Sequence, residues 1–367
     1  MKNQKIAQID SSKNLEKHFL CNFCSSRLKL KKTIQTKQKC FICKDIFERV
    51  DNFVTRIVDN LVSYDFSNFE TGVIIKPSLM DRDDHIKSEF QIKGVNSVKT
   101  KINHELSKRI ARKTKTEINH IDADLLIKVN FKDDSYKIQS KSVIVYGRYI
   151  KKSRMLPQKP LNCINCLGKG CHACHFHGLA DFDSVEGQIT KFLIKKFGCE
   201  QVRINCIGGE EKSSLVLGNG RPFFAKIINP KKRKSVIRTK PKLEGIKLLD
   251  LRKISEQPKG QISFKSKIDI IIKTENYIKN KTLNNLQILE MPLKISINGK
   301  KTVVKKIYEI NFKRLAPKRL KINMYADGGI PIKSLIQNHE ITPNFTYLLQ
   351  NNCQCVQFDF KKIDVVS

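Results

Sequence analysis

The sequence predicts an α+β protein made of three parts. Paired cysteines near the N-terminus are typical of a small metal-bound module. A basic helical stretch followed by alternating apolar and polar residues indicates a mixed α/β middle domain. Further alternating segments fill the last part of the chain and indicate a mostly antiparallel sheet. We therefore expect domains over residues 1–62, 63–180 and 181–367.

The charge of the chain points to its partner. The 367 residues are 40% hydrophobic, which is enough to build several apolar cores. Lysine and arginine number 70 against 35 acidic residues, so the formal net charge is +35. Such a chain repels itself unless a polyanion neutralises it, and nucleic acid fits that requirement. The alternative is a lysine bias shared by the proteome of an AT-rich genome, which does not by itself explain so large an excess.

The chain carries no sequence signal for export or membrane insertion. Residues 1–17 are polar and charged and lack the apolar core of a signal peptide. The longest apolar runs, such as residues 268–272, contain a charged residue and are far shorter than the ~20 residues of a membrane span. We expect a soluble, cytoplasmic protein without membrane contacts. Its twelve cysteines are then reduced, and clustered ones are metal ligands rather than disulfides.

The first cysteine cluster is Cys21-x-x-Cys24 and Cys40-x-x-Cys43, with fifteen residues between the pairs. This spacing matches a zinc ribbon, in which two knuckles close a tetrahedral site. Four thiolates leave no open position on zinc. The sequence therefore predicts a structural zinc site that stabilises a segment with little core of its own.

The middle part has an apolar strand over residues 71–75 and a lysine-rich and arginine-rich helix over 98–113. Two period-2 strands follow, over 124–131 and 136–146. The basic helical face fits RNA, although a solvated face would have the same composition.

A second cysteine cluster lies before residue 180. It consists of Cys163, Cys166, Cys171 and Cys174. Gly168 and Gly170 allow the sharp turns that converging thiolates need, so we predict a second structural zinc site. Two alternatives stay open: a pair from this cluster joins a pair from the first cluster, or the segment is a free-thiol turn. A catalytic zinc of the deaminase type is disfavoured, since no His-x-Glu lies nearby.

The third part begins with a helix capped by Asp183 and Ser184 and ended by Gly198, followed by a strand over 201–207. Gly208-Gly-Glu-Glu211 then presents two carboxylates at the edge of a sheet. Leu217-Gly-Asn-Gly-Arg-Pro-Phe223 predicts a tight loop whose arginine contacts a phosphate or orients a carboxylate, or a plain hairpin turn. Strands are expected around 260–273, 291–297 and 303–312.

Several blocks resemble one known family. They are Leu20-Cys-Asn-Phe-Cys24, Tyr146-Gly-Arg-Tyr-Ile-Lys-Lys-Ser-Arg-Met-Leu-Pro-Gln158 and Leu217-Gly-Asn-Gly-Arg-Pro-Phe223. These blocks are similar to those of the archaeal and eukaryotic tRNA pseudouridine synthases of the tenth eukaryotic class, which convert T-loop uridines to pseudouridine. The resemblance implies a THUMP-type RNA-binding middle domain and a pseudouridine synthase catalytic domain. It also implies the T-arm of tRNA as partner, no small-molecule substrate and no organic cofactor beside structural zinc. It leaves the oligomeric state open.

The resemblance also implies site residues. Gly208-Gly-Glu-Glu211 matches the family's Gly-Arg-Glu-Asp, so Glu211 stands at the nucleophilic aspartate and Gly209 at the arginine. Tyr277 matches a tyrosine that contacts the target base, and Pro331 replaces a second such tyrosine. The substrate-binding set is Tyr277, Arg221, Asn219, Lys333 and Pro331. The RNA-binding set is Arg148, Lys151, Lys152, Arg154, Lys231, Lys232, Arg233 and Lys234. The alternative function is a non-catalytic tRNA-binding protein or RNA chaperone on the same fold.

Overall fold

Residues 18–30, 38–237, 241–283, 285–286, 293–297, 301–337 and 341–366 are described by the structure, which is a computed structural model. The chain forms two units. The first is Met1–Lys141 with Lys231–Lys234, and the second is Ser142–Pro230 with Ser235–Ser367. Within the described ranges, every helix is too short or too polar to cross a bilayer.

The first unit is a small sheet with helices packed on it. Its elements are α1 (Asn22–Leu28), α2 (Ile46–Leu61), β1 (Asn68–Ile74), α3 (Pro77–Glu89), α4 (Val98–Thr114), β2 (Glu117–Ile118), β3 (Leu125–Asn130) and β4 (Ser135–Ser140). The strand order is β2-β1-β3-β4, with β1 parallel to both neighbours and β4 antiparallel to β3. The predicted basic helix is confirmed as α4, whose N-terminus is capped by the Ser97 hydroxyl, 3.1 Å from the Thr100 N–H.

The first cysteine cluster shares the core of this unit. Cys24, Cys40 and Cys43 are buried in the same apolar cluster as Phe47 and Ile102. Residues from 20–61 and from 69–131 contribute to this one cluster, so the N-terminal segment packs on the helices and strands that follow it. The boundary expected at residue 62 therefore does not separate two cores.

The second unit contains a large, mostly antiparallel sheet. Its elements are β5 (Val143–Lys151), a 3₁₀ turn (His172–Cys174), α5 (Val185–Phe197), β6 (Gln201–Cys206), β7 (Val216–Ile228), β8 (Ile246–Ile254), β9 (Phe264–Thr274), α6 (Asn280–Leu283), β10 (Leu293–Ile297), β11 (Lys301–Lys305), β12 (Ile307–Ala316), β13 (Arg319–Asp327), α7 (Ile332–Gln337), β14 (Ile341–Thr342), α8 (Phe345–Leu349) and β15 (Cys353–Val365). Among the described residues, eight strands form the sheet in the order β12-β13-β9-β15-β7-β5-β8, with β6 also paired to β7. A smaller sheet has the order β11-β10-β14.

The expected division at residue 180 differs from the observed one. The alternating run over 136–146 contains two strands, because β4 belongs to the first unit while β5 pairs with β7 and β8 of the second. The second unit consequently begins at Ser142 and includes the second cysteine cluster. No glycine, proline, asparagine or aspartate interrupts the alternation, so the sequence pattern alone does not reveal the change of sheet.

The loop predicted over Leu217–Phe223 is wrong, since these residues lie within β7. Both glycines have positive φ, +56° at Gly218 and +71° at Gly220, so the strand bulges without leaving the sheet. A Cβ at Gly218 would lie 2.0 Å from the Lys361 carbonyl oxygen, and one at Gly220 would lie 2.7 Å from the Tyr149 oxygen. The two glycines therefore allow β7 to approach β15 and β5 closely.

We expect Gly218→Ala to lower the free energy of unfolding by about 3 kcal/mol, since a left-handed backbone and a backbone clash both oppose the methyl group. Denaturant unfolding followed by circular dichroism measures the loss. The matched control is Gly209→Ala, whose Cβ would meet its nearest neighbour at 3.8 Å without positive φ. Equal stability of the two variants would contradict the role of Gly218.

Candidate active site

Two adjacent carboxylates lie on the loop of residues 207–215, between β6 and β7, and differ sharply in exposure. We call this segment the carboxylate loop. The side chain of Glu210 is fully buried, whereas that of Glu211 is 35% exposed. Of the pair, Glu211 is therefore the carboxylate that a ligand can reach.

Glu210 is held by cationic and hydroxyl donors in the interior. The Nε of Arg221 donates to its Oε2 at 3.0 Å, and the Tyr149 hydroxyl donates to the same oxygen at 3.0 Å. The ammonium of Lys151 lies 3.6 Å from Oε1. A buried carboxylate needs such partners because its hydration is lost, and removal of one partner costs about 3–5 kcal/mol. This network consequently fixes the backbone at Glu210.

The protonation of these donors follows from their burial. Burial raises the pKa of Tyr149 well above its ordinary value, and the carboxylate of Glu210 adds to that effect. Tyr149 is thus a neutral donor at physiological pH. Burial lowers the pKa of Lys151, while the negative charge of Glu210 acts in the opposite direction.

The segment 147–158 positions the backbone of the carboxylate loop. Its polar side chains donate to successive backbone carbonyls of that loop. The bonds are Gln158 Nε2 to Gly208 O (3.2 Å), Lys151 Nζ to Glu211 O (3.0 Å) and Lys212 O (3.2 Å), and Arg154 Nη1 to Ser213 O (2.6 Å). The Gln158 side-chain oxygen also accepts the Glu210 N–H at 3.1 Å. One segment of sequence thereby holds the loop from its beginning to its end.

The C-terminal end of the carboxylate loop is held to β15 by hydrogen bonds. Arg154 donates two hydrogen bonds of 2.8 Å to the carboxylate of Asp359, and Asp359 accepts the Leu215 N–H at 2.9 Å. Burial of Asp359 acts to raise its pKa, but the hydrogen bonds from Arg154 and Leu215 outweigh it and hold the pKa below its ordinary value. Asp359 is therefore ionised at neutral pH and completes the support of the loop.

Glu211 pairs with a lysine from a different element. The ammonium of Lys333, on α7, lies 2.7 Å from its carboxylate, and that carboxylate raises the pKa of Lys333. The Ser214 hydroxyl accepts the Glu211 N–H at 3.1 Å and donates to the Glu211 carbonyl at 2.9 Å. Burial raises the pKa of Cys355 on β15 to about 11, and the nearby Glu211 carboxylate contributes. Both the backbone and the carboxylate of Glu211 are thus oriented.

Tyr277 is 70% exposed and lies beyond the end of β9. The last residue of β9, Thr274, is paired with Cys353, so Tyr277 follows the end of the sheet at which β15 begins. Its ring lines an open cleft of about 320 Å³ with Arg314 and Leu315. The Lys318 ammonium lies 5.4 Å from the ring centroid. An exposed ring beside a cleft is available for contact with a planar base.

Comparison with known proteins decides the family. The model described as "Pus10, C-terminal" matches residues 144–364, and the model "Pus10 THUMP domain, archaeal" matches residues 53–130. The chain belongs to the Pus10 family. The first match covers most of the second unit, and the second lies within the first unit. The implied THUMP domain and synthase catalytic domain are therefore confirmed.

Curated relatives agree over almost the whole chain. The tRNA pseudouridine synthase Pus10 of Nitrosopumilus maritimus is 38% identical over 379 residues, covering 99% of this chain and 99% of its own. The protein of that name from Cenarchaeum symbiosum is 29% identical over 327 residues, covering 89% and 81%. Among solved structures, a Cbf5-Nop10-Gar1 complex matches with a TM-score of 0.31 and 10% identity, over 59% of this chain and 48% of that one.

The predicted substrate-binding set is divided between the interior and the surface. Arg221 is buried and orients the Glu210 carboxylate, which is one of the two roles predicted for it. Asn219 binds the backbone of β15, donating to the Ile363 carbonyl at 3.0 Å and accepting its N–H at 2.9 Å. Pro331 is exposed just before α7. Lys333, on that helix, joins Glu211 at the surface.

Three members of the predicted RNA-binding set, Arg148, Lys151 and Arg154, are engaged in contacts within this Pus10-family chain. Lys151 is fully buried, and Arg148 donates to the carbonyls of Asn219 and Gly220 at 2.6 and 3.0 Å. Arg154 binds Asp359 and the carboxylate loop. Direct phosphate contact by Lys151 is excluded in this conformation, because its ammonium is enclosed. Their neighbour Lys152 is exposed.

The basic run 231–234 lies in the first unit. Arg233 pairs with Asp124 at 3.1 Å and donates to the Lys141 carbonyl at 3.0 Å. Lys231 lies over the Tyr64 ring, with its ammonium 5.8 Å from the centroid. Lys232 is exposed. The run therefore has a structural contact through Arg233 and an exposed charge at Lys232.

Eight of the twelve cysteines form two separate tetrads, Cys21, Cys24, Cys40 and Cys43, and Cys163, Cys166, Cys171 and Cys174. In each tetrad all four Sγ atoms lie within 4.8 Å of one another. The Cys21–Cys43 and Cys163–Cys171 sulfur distances are 3.6 and 3.9 Å, close to the roughly 3.8 Å that two 2.3 Å bonds to a tetrahedral metal give. The alternative in which pairs from the two clusters combine is wrong, because each tetrad closes on itself.

Sequence reasoning missed the supporting roles of Tyr149, Gln158, Glu210 and Asp359. Tyr149 and Gln158 lie in the family-like block at 146–158, which was interpreted through its cations alone. That Glu210 precedes the residue predicted to react was visible, but its burial was not. Asp359 lies in a strand with no motif around it, and the sequence held no signal for its contact with Arg154.

Proposed function

We propose that this protein isomerises T-loop uridines of tRNA to pseudouridine and that Glu211 is the reacting carboxylate. The observation that carries the proposal is the partly exposed Glu211 carboxylate on a loop whose backbone is held by hydrogen bonds from Lys151 and Gln158. Membership in a family whose relatives are named tRNA pseudouridine synthases supplies the reaction class. The resemblance in the sequence blocks supplies the T-loop as the target.

The reaction needs little beyond a placed carboxylate. The N1–C1′ bond of the flipped-out uridine breaks, the uracil rotates, and a C5–C1′ bond forms. The hydrogen lost from C5 is matched by the one gained at N1, so the product is an isomer and no oxidant or reductant is consumed. Glu211 assists cleavage at C1′ as the nucleophilic carboxylate. The exposed ring of Tyr277 packs on the uracil and limits its movement.

The pairing with Lys333 supports glutamate in this role. Glutamate carries one more methylene than the aspartate that the family resemblance implies, and a displacement of about 1 Å costs about 100-fold in rate. Lys333 at 2.7 Å restricts where the longer side chain places its oxygens. At Gly209, where the resemblance implies arginine, the nearest heavy atom to a built Cβ lies 3.8 Å away, so a larger side chain is not sterically barred.

We propose that each cysteine tetrad holds one structural zinc ion. The sulfur spacing fits tetrahedral zinc, and four thiolates leave no position for substrate. In the second tetrad, the Gly170 and Gly178 N–H groups donate to the sulfurs of Cys166 and Cys174 at 3.2 and 3.3 Å, as outer partners of metal-bound thiolates do. Reduced thiolates and a tRNA substrate together favour the cytoplasm as the site of action.

We expect Glu211→Ala to lower the isomerisation rate by about 10⁴-fold or more while tRNA affinity changes less than about twofold. Carbodiimide-based pseudouridine mapping of unmodified tRNA, together with a binding titration, measures both. The control is Glu309→Ala, which removes an exposed carboxylate of β12. Conversion that survives in Glu211→Ala would overturn the assignment of the carboxylate. If the wild-type protein binds tRNA without converting any uridine, it is a non-catalytic binding protein on this fold.

Lys151→Met is expected to reduce kcat by about 100-fold with little change in KM, because the loop carbonyls lose the ammonium that positions Glu211. Its neighbour Lys152→Met is the matched control, since Lys152 is exposed, and we expect its kcat to stay within about twofold. Thermal unfolding of both variants shows whether Lys151→Met remains folded at the assay temperature. Equal kcat values for the two variants would argue against positioning by Lys151.

Metal analysis of the purified protein is expected to give about two zinc ions per chain, one for each tetrad. Cys24→Ser and Cys171→Ser should each reduce the content to about one, because loss of a thiolate opens a closed site. Cys199→Ser changes a buried cysteine outside both tetrads and should leave the content at about two. A wild-type content of one, or no loss in either tetrad variant, would contradict two independent sites.

A further inference from the structure

The segment that contains the second cysteine tetrad carries large apolar side chains that are exposed rather than packed in a core. The exposed fractions are 71% for Leu161, 86% for Ile164, 75% for Leu167 and 40% for Phe176. We call these four residues the knuckle surface. Single exposed apolar residues are common in proteins, but a group of them on one short segment indicates a contact surface.

The knuckle surface is small and rigid. Ile164 and Leu167 each follow a cysteine of the tetrad, and the Leu167 N–H donates to the Cys163 carbonyl at 2.8 Å, so one tight turn carries both residues. The Cys163 N–H donates to the Gly178 carbonyl at 2.9 Å and joins the two ends of the segment. A Cβ at Gly170 would lie 2.5 Å from the Phe176 carbonyl oxygen, so the turns are tightly packed. Little ordering entropy opposes binding to such a platform.

The segment that carries the knuckle surface is basic. Residues 155–180 contain no aspartate or glutamate. Lys159 and Lys169 are exposed in this segment, and so are His172 and His175. The N–H groups of Gly170 and Gly178 that donate to the sulfurs offset part of the negative charge of a zinc–tetrathiolate. Exposed apolar groups among cations fit a polyanion that also carries apolar faces.

We infer that the knuckle surface is a second RNA-binding surface, which packs Ile164 and Leu167 against unpaired bases of the tRNA while Lys159 and Lys169 neutralise neighbouring phosphates. The inference rests on the proposed tRNA substrate and adds a contact outside the reacting pocket. Unpaired nucleotides offer apolar base faces, and their backbone attracts lysine. A protein partner is less favoured, because four side chains provide far less than the area of a stable protein interface.

The double variant Ile164→Ser with Leu167→Ser tests the apolar contact. We expect the Kd for unmodified tRNA to rise about tenfold, since two exposed aliphatic groups lose their burial on binding. The single-turnover rate at saturating tRNA and the zinc content should match the wild type, because neither residue touches the pocket or the metal. Val304→Ser, which removes an exposed aliphatic side chain of β11, is the control and should bind as the wild type does.

Lys169→Gln tests the ionic contact. The slope of log Kobs against log salt concentration should become shallower by roughly 0.7–0.9, the value for one lost phosphate contact. A double variant with wild-type Kd, or an unchanged slope in Lys169→Gln, would overturn the inference. If tRNA affinity stays constant while the double variant changes the oligomeric state, the surface contacts protein instead. If the wild type converts no uridine but the variants still bind tRNA more weakly, the proposed reaction is contradicted and the proposed RNA-binding surface is supported.

Discussion

The burial of one carboxylate, that of Glu210, constrains the rest of the site. Tyr149 on β5 and Arg221 on β7 are direct cross-strand partners, so their side chains leave the same face of the sheet and meet at the Glu210 Oε2. A charge enclosed by the protein is tolerated only with such partners, and any shift of the loop would separate it from them. The large sheet thereby determines where the carboxylate loop lies, although the loop itself has no regular structure.

Glu210 and Glu211 are adjacent in the carboxylate loop, yet one is buried and the other is partly exposed, for a geometric reason. Because Glu210 is anchored inward, the chain turns Glu211 outward, where it meets Lys333 at 2.7 Å. Three side chains of the 147–158 segment hold the carbonyls on either side of Glu211, so its backbone has little freedom to adjust. A substitution that lengthens the side chain at position 211 therefore has to be accommodated within the side chain itself. Lys333 is the group that supplies this second constraint.

The sequence predicted the parts of this site that depend on local pattern. The helix before the loop was expected from its caps and is observed as α5, and the cysteine spacing predicted both tetrads. The Gly-x-Gly at 218–220 was misinterpreted as a loop, because positive φ suggests a turn equally well when it serves a bulge inside β7. The sequence also did not predict that Lys151 and Arg221 are buried. Their location depends on pairing between strands far apart in sequence, and lysine and arginine are usually exposed.

This arrangement assigns the cations of the chain to two separate tasks. Arg154, Lys151 and Arg221 are occupied by loop carbonyls and by two carboxylates, so they contribute little to the attraction of a distant polyanion. The excess charge that reaches RNA comes from exposed lysines. Salt screens exposed charges within about 10 Å at moderate ionic strength but acts much less on buried pairs. Ionic strength should therefore weaken tRNA binding while it leaves the buried pairs around Glu210 unchanged, so that RNA recognition and the support of the carboxylate loop respond differently to the same condition.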